Sequence, residues 1–191
     1  MDEYRVVVAD SSESSRKQIC RLLNKKGYKI YEATDGAGAI RISRSIFPDL
    51  VIMDMNLWGI NAYEAARIIE EDRLSTVLFI TSNPNKTFYE KLENMNVFAY
   101  IMKPIKADQL YQMIKFAIMN SNKIKLLSKK IEKLENTLQS RKKVDRAKGF
   151  LMEKLGISEE EAYKLLRRKS MDACIAIDKM AEKIIEQYKK K

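Results

Sequence analysis

Four polar residues stand where short apolar runs end. Asp10 follows Val6-Val7-Val8-Ala9, Asp54 follows Val51-Ile52-Met53, Thr81 follows Leu78-Phe79-Ile80, and Lys103, with Pro104 behind it, follows Tyr100-Ile101-Met102. If those runs are parallel strands of one sheet, two carboxylates, a hydroxyl and an ammonium arrive at one rim. Open α/β sheets bind ligands at that rim, where the strand order reverses. Singly, each residue has a plainer reading as a turn, a cap or a loop. Four element ends carrying the right residue types together are much harder to obtain by accident. The chain has no histidine, which removes His-dependent triads, His metal ligands and an internal phosphohistidine. Any phosphoryl group must come from outside.

The elements that would position these residues follow from hydrophobic spacing. Up to residue 120, runs rich in β-branched residues alternate with segments of helical period, the pattern of a doubly wound α/β fold with a five-stranded parallel sheet. Strands are expected at Arg5–Ala9, Lys29–Ala33, Asp49–Met53, Thr76–Thr81 and Ala99–Met102. Helices are expected near 14–26, 36–45, 61–72, 85–95 and from 107 onward. Gly27-Tyr28 closes the first helix and Phe47-Pro48 the second.

Beyond residue 120 the pattern changes. Ile124, Leu127, Ile131, Leu134 and Leu138 recur at alternating steps of three and four, with lysines and glutamates between them. That is a heptad seam suited to a two-stranded parallel coiled coil, the alternative being an amphipathic helix folded back on the chain's own core. A small bundle of three short helices should follow. The first carries Val144, Ala147, Leu151 and Leu155 and ends at Gly156; the second starts at a capping box of Ser158 and Glu161; the third runs from about Asp172 to Lys189, with Ile175, Met180, Ile184 and Ile185 turned inward. Three units result: residues 1–120, a linker helix over 121–140, and 141–191.

Charge separates the units. The first 120 residues hold 16 Lys and Arg against 15 Asp and Glu, whereas the remaining 71 hold 20 against 11. So concentrated an excess suits a polyanionic partner, because each phosphate neutralised releases condensed counterions; a solvated lysine-rich helical face is the plainer account. Cys20 and Cys174 have no spacing for a metal cage or redox pair and are expected as reduced core thiols. The early charges at Asp2, Glu3 and Arg5 and the lack of any apolar run near ~18 residues point to a cytoplasmic chain with neither signal peptide nor membrane span.

Residues 3–120 resemble the receiver domain of two-component response regulators, on Asp10, Asp54, Thr81, Tyr100 and Lys103-Pro104 taken together. The resemblance implies that Asp54 is the phosphoacceptor, a carboxylate nucleophile served by a sensor histidine kinase. It implies Mg²⁺ held by Asp10, Asp54 and the backbone carbonyl of Asn56, with Lys103 and Thr81 contacting the phosphoryl group. Tyr100 would be the aromatic switch, turning inward as Thr81 moves. One departure stands out: Asp10 is followed by Ser11, where receivers usually carry a second acid. Fewer charges hold a hard dication less tightly, and Glu13 is the nearest acid that could compensate. Trp58 and Ala62 replace a common proline and glycine.

The tail resembles the ANTAR module over residues 141–186, through Arg146-Ala147-Lys148-Gly149-Phe150-Leu151-Met152, Gly156-Ile157-Ser158-Glu159-Glu160-Glu161-Ala162-Tyr163 and Leu165-Leu166-Arg167, with Ser170-Met171 and Ala181 behind. That family implies binding to hairpin RNA in nascent leader transcripts and transcription antitermination. Arg146, Lys148, Arg167 and Arg168 would hold phosphates. Tyr163 could stack on a base or fill the gap between helices, the second reading being preferred; Phe150 and Met152 are read as packing residues. Ala147 and Gly149 would let a neighbouring helix or RNA approach closely.

The expectation is a non-enzymatic response regulator, homodimeric through the coil, that binds RNA under control of phosphorylation at Asp54. The alternatives are a DNA-binding response regulator and a pseudo-receiver adaptor controlled by a partner protein.

Overall fold

The computed structural model describes residues 4–93, 95, 97 and 99–189; position 94 of the expected fourth helix and both ends of the chain lie outside the described residues. It divides into two compact units, residues 1–124 and 125–191.

In the first unit, five strands, β1 (Arg5–Ala9), β2 (Lys29–Ala33), β3 (Leu50–Asp54), β4 (Val77–Thr81) and β5 (Tyr100–Met102), form one sheet in the order β2-β1-β3-β4-β5, every pair parallel. Between them lie α1 (Glu13–Asn24), α2 (Gly36–Ile46), α3 (Ala62–Glu71) and α4 (Lys86–Glu93), with α5 starting at Ala107. The order reverses between β1 and β3, so the ends of those two strands open the crevice expected of this topology.

The apolar runs make strands because both faces of the sheet are covered. Val6, Val8, Ile52, Leu78 and Ile80 pack with Ile19, Leu23, Leu110 and Ile114 of α1 and α5. Their neighbours in sequence, Val7, Val51, Met53, Val77 and Phe79, meet Ala39, Ile40, Ala65, Ala66, Ile69 and Phe88 on the other side. Caps set the helix starts. Asp35 accepts from the Gly38 amide at 2.7 Å and Asn61 from the Glu64 amide at 3.0 Å, each satisfying a donor that the first turn leaves open.

Helix α5 runs unbroken from Ala107 to Leu155. The coil and the expected first bundle helix are therefore one element, because nothing between 120 and 155 breaks the helical period. Its seam residues are exposed: Ile124, Leu127, Ile131, Leu134 and Leu138 are each 39–64% accessible. None of them belongs to the buried core of either unit.

In the second unit, the end of α5 packs with α6 (Glu159–Asp172) and α7 (Ile177–Lys189) around Ala147, Leu151, Ala162, Leu166, Ala181, Ile184 and Ile185. Three alanines with no exposed surface sit in that core, one from each helix; a methyl group there lets helix axes come close. Gly156 takes φ 64° at the end of α5, and the Ser158–Glu161 capping box is present in both directions. Three expectations fail. Leu155 is half exposed rather than buried. The last helix starts at Ile177, not Asp172, because α6 continues to Asp172 and Cys174 turns the chain at φ 52°. Hydrogen bonds from the Ser170 hydroxyl to the Ile175 carbonyl and from the Ile175 amide back to Ser170 close that turn. Cys174 is accordingly exposed and only Cys20 is a core thiol. Among the described residues no helix is long and apolar enough to cross a membrane.

Candidate functional site

The sheet rim gathers the four residues of the opening pattern. Asp10 and Asp54 are 2% exposed and Thr81 5%, so the strand ends bury their polar groups instead of releasing them to water. Each has a backbone tie. The Ser12 amide donates to Asp10 Oδ1 at 2.8 Å and the Asn56 amide to Asp54 Oδ1 at 2.7 Å; the Asn83 amide donates to Thr81 Oγ1 at 3.3 Å. The second oxygens of both acids are buried and accept no well-angled hydrogen bond. What faces them is the Lys103 ammonium, ion-paired with Asp54 and 3.6 Å from Asp10 Oδ2. Lys103 is itself anchored through its amide, which donates to the Thr81 carbonyl at 2.9 Å, and is followed by a cis peptide to Pro104.

Two buried carboxylates sharing one ammonium leave a net negative pocket with two oxygens aimed at a common point. Such a donor set fits a small hard cation, and its carboxylate can serve as a nucleophile once a cation offsets the incoming negative charge. It is nevertheless a sparse set. No cluster of three His, Cys, Asp or Glu side chains placed to hold a metal occurs among the described residues. Glu13 does not fill the gap: its carboxylate lies 2.5 Å from Lys17 on the exposed face of α1, and that contact holds it below its usual titration range.

Tyr100 lies at the next level. Its hydroxyl is 3.1 Å from that of Tyr89, and its ring meets Phe88 and Tyr89 edge-on with centroids 5.2 and 5.9 Å away. The hydrogen bond to Tyr89, and lesser burial, raise the Tyr100 phenol above its usual range. In this state the half-buried Tyr100 belongs to an aromatic cluster on the α4 side.

Two roles escaped the sequence reading. Ser11 uses its hydroxyl twice, donating to the Thr34 carbonyl at 2.8 Å and accepting from the Trp58 amide at 3.0 Å. Arg16, largely buried, donates to the Asp10 carbonyl at 2.9 Å and to Glu32 at 2.8 Å. Neither signal is local, since their partners come from other loops and strands.

The tail residues separate into exposed and engaged. Arg146 is exposed, with its guanidinium 5.8 Å from the Phe150 ring centroid. On α6, Tyr163 is 44% exposed and outside the core, contrary to the packing role preferred for it. Tyr163 and Arg167 are four residues apart and so share a helix face. Arg168 is also exposed, with Asp172 at 3.9 Å. Lys148 is the exception. Its ammonium lies 2.7 Å from both Asp145 and Glu159, its side chain is 14% exposed, and these partners raise its titration above the usual lysine range. It ties the end of α5 to the start of α6 and is not free to meet a ligand. Phe150 packs as expected, stacked on Tyr188 at 6.4 Å, while Met152 is exposed. Gly149 has no atom within 4 Å of where a Cβ would stand, so no neighbouring helix of this chain requires a glycine there.

Comparison with known proteins agrees with this layout. The response regulator receiver domain model matches residues 6–115, and the ANTAR domain model matches residues 132–185. The chain belongs to the response regulators. It is one of the PdtaR type, a receiver followed by an ANTAR domain: it is 31% identical over 183 residues to the transcriptional regulatory protein PdtaR of Mycobacterium tuberculosis, covering 95% of this chain and 89% of that protein. The ANTAR match begins earlier than the resemblance suggested, inside the heptad seam. Among solved structures, the N-terminal domain of a response regulator/sensory box/GGDEF protein from Carboxydothermus hydrogenoformans superposes with a TM-score of 0.57 at 26% identity, covering 62% of this chain and 96% of that one. The receiver domain of a sensor histidine kinase from Pseudomonas aeruginosa, which has a magnesium ion coordinated in its active-site cleft, matches at 0.56 and 22%, covering 61% and 98%.

Proposed function

We propose that this response regulator accepts a phosphoryl group at Asp54 and, as a homodimer, binds hairpin RNA in nascent transcripts to prevent termination. The observation that supports it most is the presence, in one chain, of a buried Asp10–Asp54–Lys103 pocket and an ANTAR module whose Arg146, Tyr163, Arg167 and Arg168 are exposed. The working division is a receiver over 1–120, a coil over 121–140 and an RNA-binding module over 141–191.

In the receiver, an Asp54 carboxylate oxygen forms a bond to the phosphorus of a phosphohistidine on a sensor kinase, and the bond from phosphorus to the donor nitrogen breaks. Asp10, Asp54 and the Asn56 carbonyl would hold Mg²⁺, which supplies charge neutralisation for the phosphoryl oxygens. Lys103 leaves its ion pair with Asp54 to contact the new phosphate, and Thr81 turns its hydroxyl to the same group. Movement of Thr81 opens space beside Tyr100, whose bond to Tyr89 is then exchanged for an inward position.

In the tail, the exposed seam pairs with that of a second copy, burying Ile124, Leu127, Ile131, Leu134 and Leu138. Two modules then meet two RNA loops, and their linkage raises avidity without new contacts. Arg146, Arg167 and Arg168 hold phosphates and Tyr163 stacks on a splayed base, while Lys148 positions α6. The two-carboxylate pocket favours one second reading, a receiver driven by partner binding instead of phosphate.

Incubation with a small-molecule phosphodonor and Mg²⁺, followed by intact mass, tests the front half: one added phosphoryl group in the wild type and none in Asp54→Asn is expected. Titration of hairpin RNA against duplex DNA tests the rear half. An Arg167→Ala, Arg168→Ala variant should bind the hairpin more weakly and with a flatter salt dependence; unchanged hairpin binding would rule out this surface.

A further inference from the structure

The residue that costs the pocket its third carboxylate does work of its own. Ser11 Oγ donates to the carbonyl of Thr34 at 2.8 Å and accepts from the amide of Trp58 at 3.0 Å. It thus joins three loops at the sheet rim: its own after β1, the one after β2, and the one after β3 that carries Asn56. Beside this link Asp35 and Trp58 pair as an isolated parallel bridge. The two loops also pack without slack, since a Cβ on Gly36 would stand 2.5 Å from the Ile60 carbonyl oxygen. An aspartate at position 11 could accept from the Trp58 amide but could not, ionised, donate to Thr34.

We infer that Ser11 is a positioning residue of the phosphoacceptor site: its hydroxyl fastens the loop after β3, and so orders Asn56 next to Asp54, in place of the ligand charge that a second acid would bring. A pocket with two carboxylates gains less from each bound cation. A loop already ordered before binding loses less freedom when the cation arrives. The substitution exchanges charge for order, and the Trp58 indole, 74% exposed, reports on it because it is the chain's only tryptophan. Part of this rests on the reading that the pocket takes Mg²⁺; the fastening itself does not.

The test uses the full chain, without phosphodonor or RNA. In metal-free protein, Ser11→Ala should speed hydrogen exchange at the Trp58 amide on the order of tenfold, the worth of a typical hydrogen bond, and Ser11→Thr, which keeps the hydroxyl, should restore the wild-type rate. Thermal unfolding checks that each variant is folded. In a Mg²⁺ titration followed by Trp58 fluorescence, Ser11→Ala should bind several-fold more weakly and Ser11→Thr close to the wild type. Equal Trp58 exchange in the wild type and Ser11→Ala overturns the assignment, as does failure of Ser11→Thr to restore it. A wild type whose fluorescence ignores Mg²⁺ counts against the metal reading of the pocket, while the metal-free exchange still decides the role of Ser11.

Discussion

The receiver and the ANTAR module both depend on charged side chains, and they treat them in opposite ways. At the receiver rim, Asp10 and Asp54 are withdrawn from water and share Lys103. In the tail, Arg146, Arg167 and Arg168 stand in solvent, and ion pairs such as Lys164–Glu160 and Lys179–Glu182 lie at the surface, Lys148 being the sheltered exception. A buried charge interacts strongly with whatever replaces its partner, whereas an exposed one is screened within about 10 Å. The difference suits the tasks proposed for them. A switch needs one partner exchange to carry a large energy, and a reader of long polyanions gains by adding many weak, salt-dependent contacts.

Substitution can break this contrast at several strengths. The largest effect should come from Asp54→Asn, which removes the proposed nucleophile and should abolish phosphoryl uptake in the intact-mass assay while leaving hairpin RNA affinity of the unphosphorylated protein unchanged. Next comes the seam. Because Leu134 and Leu138 are exposed in the single chain, Leu134→Glu, Leu138→Glu should leave thermal unfolding of the receiver intact and shift the solution mass from dimer to monomer by light scattering. If the variant's mass equals that of the wild type, the coil is not where copies meet.

Gly149→Ala tests the other side of the comparison, where exposure serves binding. Open space around the site and the helix preference for alanine predict a gain of about 1 kcal/mol in urea unfolding of the tail. Hairpin affinity should fall if RNA approaches the helix at this open position. A stability gain with undiminished RNA binding would move the contact surface away from this part of α5. Smallest is the pH effect. Hydrogen bonds from Lys143 and then Lys179 hold the Glu182 carboxyl below its ordinary 4.5. A lowered carboxyl stabilises the fold above its unfolded value and loses that contribution as pH falls through the folded one. Helicity followed by circular dichroism should therefore decline on acidification below about pH 4.5, and less steeply in Glu182→Gln, whose pair no longer titrates.

Much of this was legible from residue order. Alternating apolar runs placed all five strands to within a residue, Gly27 and Gly156 marked two helix ends, and Ser158 with Glu161 marked a start. The departures share a cause. No local signal told that Cys174 would accept a left-handed turn, that Lys148 would be held by Glu159, or that Tyr163 would point outward, because each depends on which helix packs against which. The heptad seam was plain, yet that it stays uncovered in a single chain needed the continuous path of α5 to be known.

Residue sequence alone determined the element types, the Ser158–Glu161 cap and the placing of Asp10, Asp54, Thr81 and Lys103 at or just after strand ends, because period and capping involve neighbours a few positions apart. Only the tertiary structure decided that Lys103 would face both acids and that Ser11 would bind Trp58 across 47 positions. Such contacts form when strand order and loop packing bring distant segments together, and hydrogen bonds act only at close range.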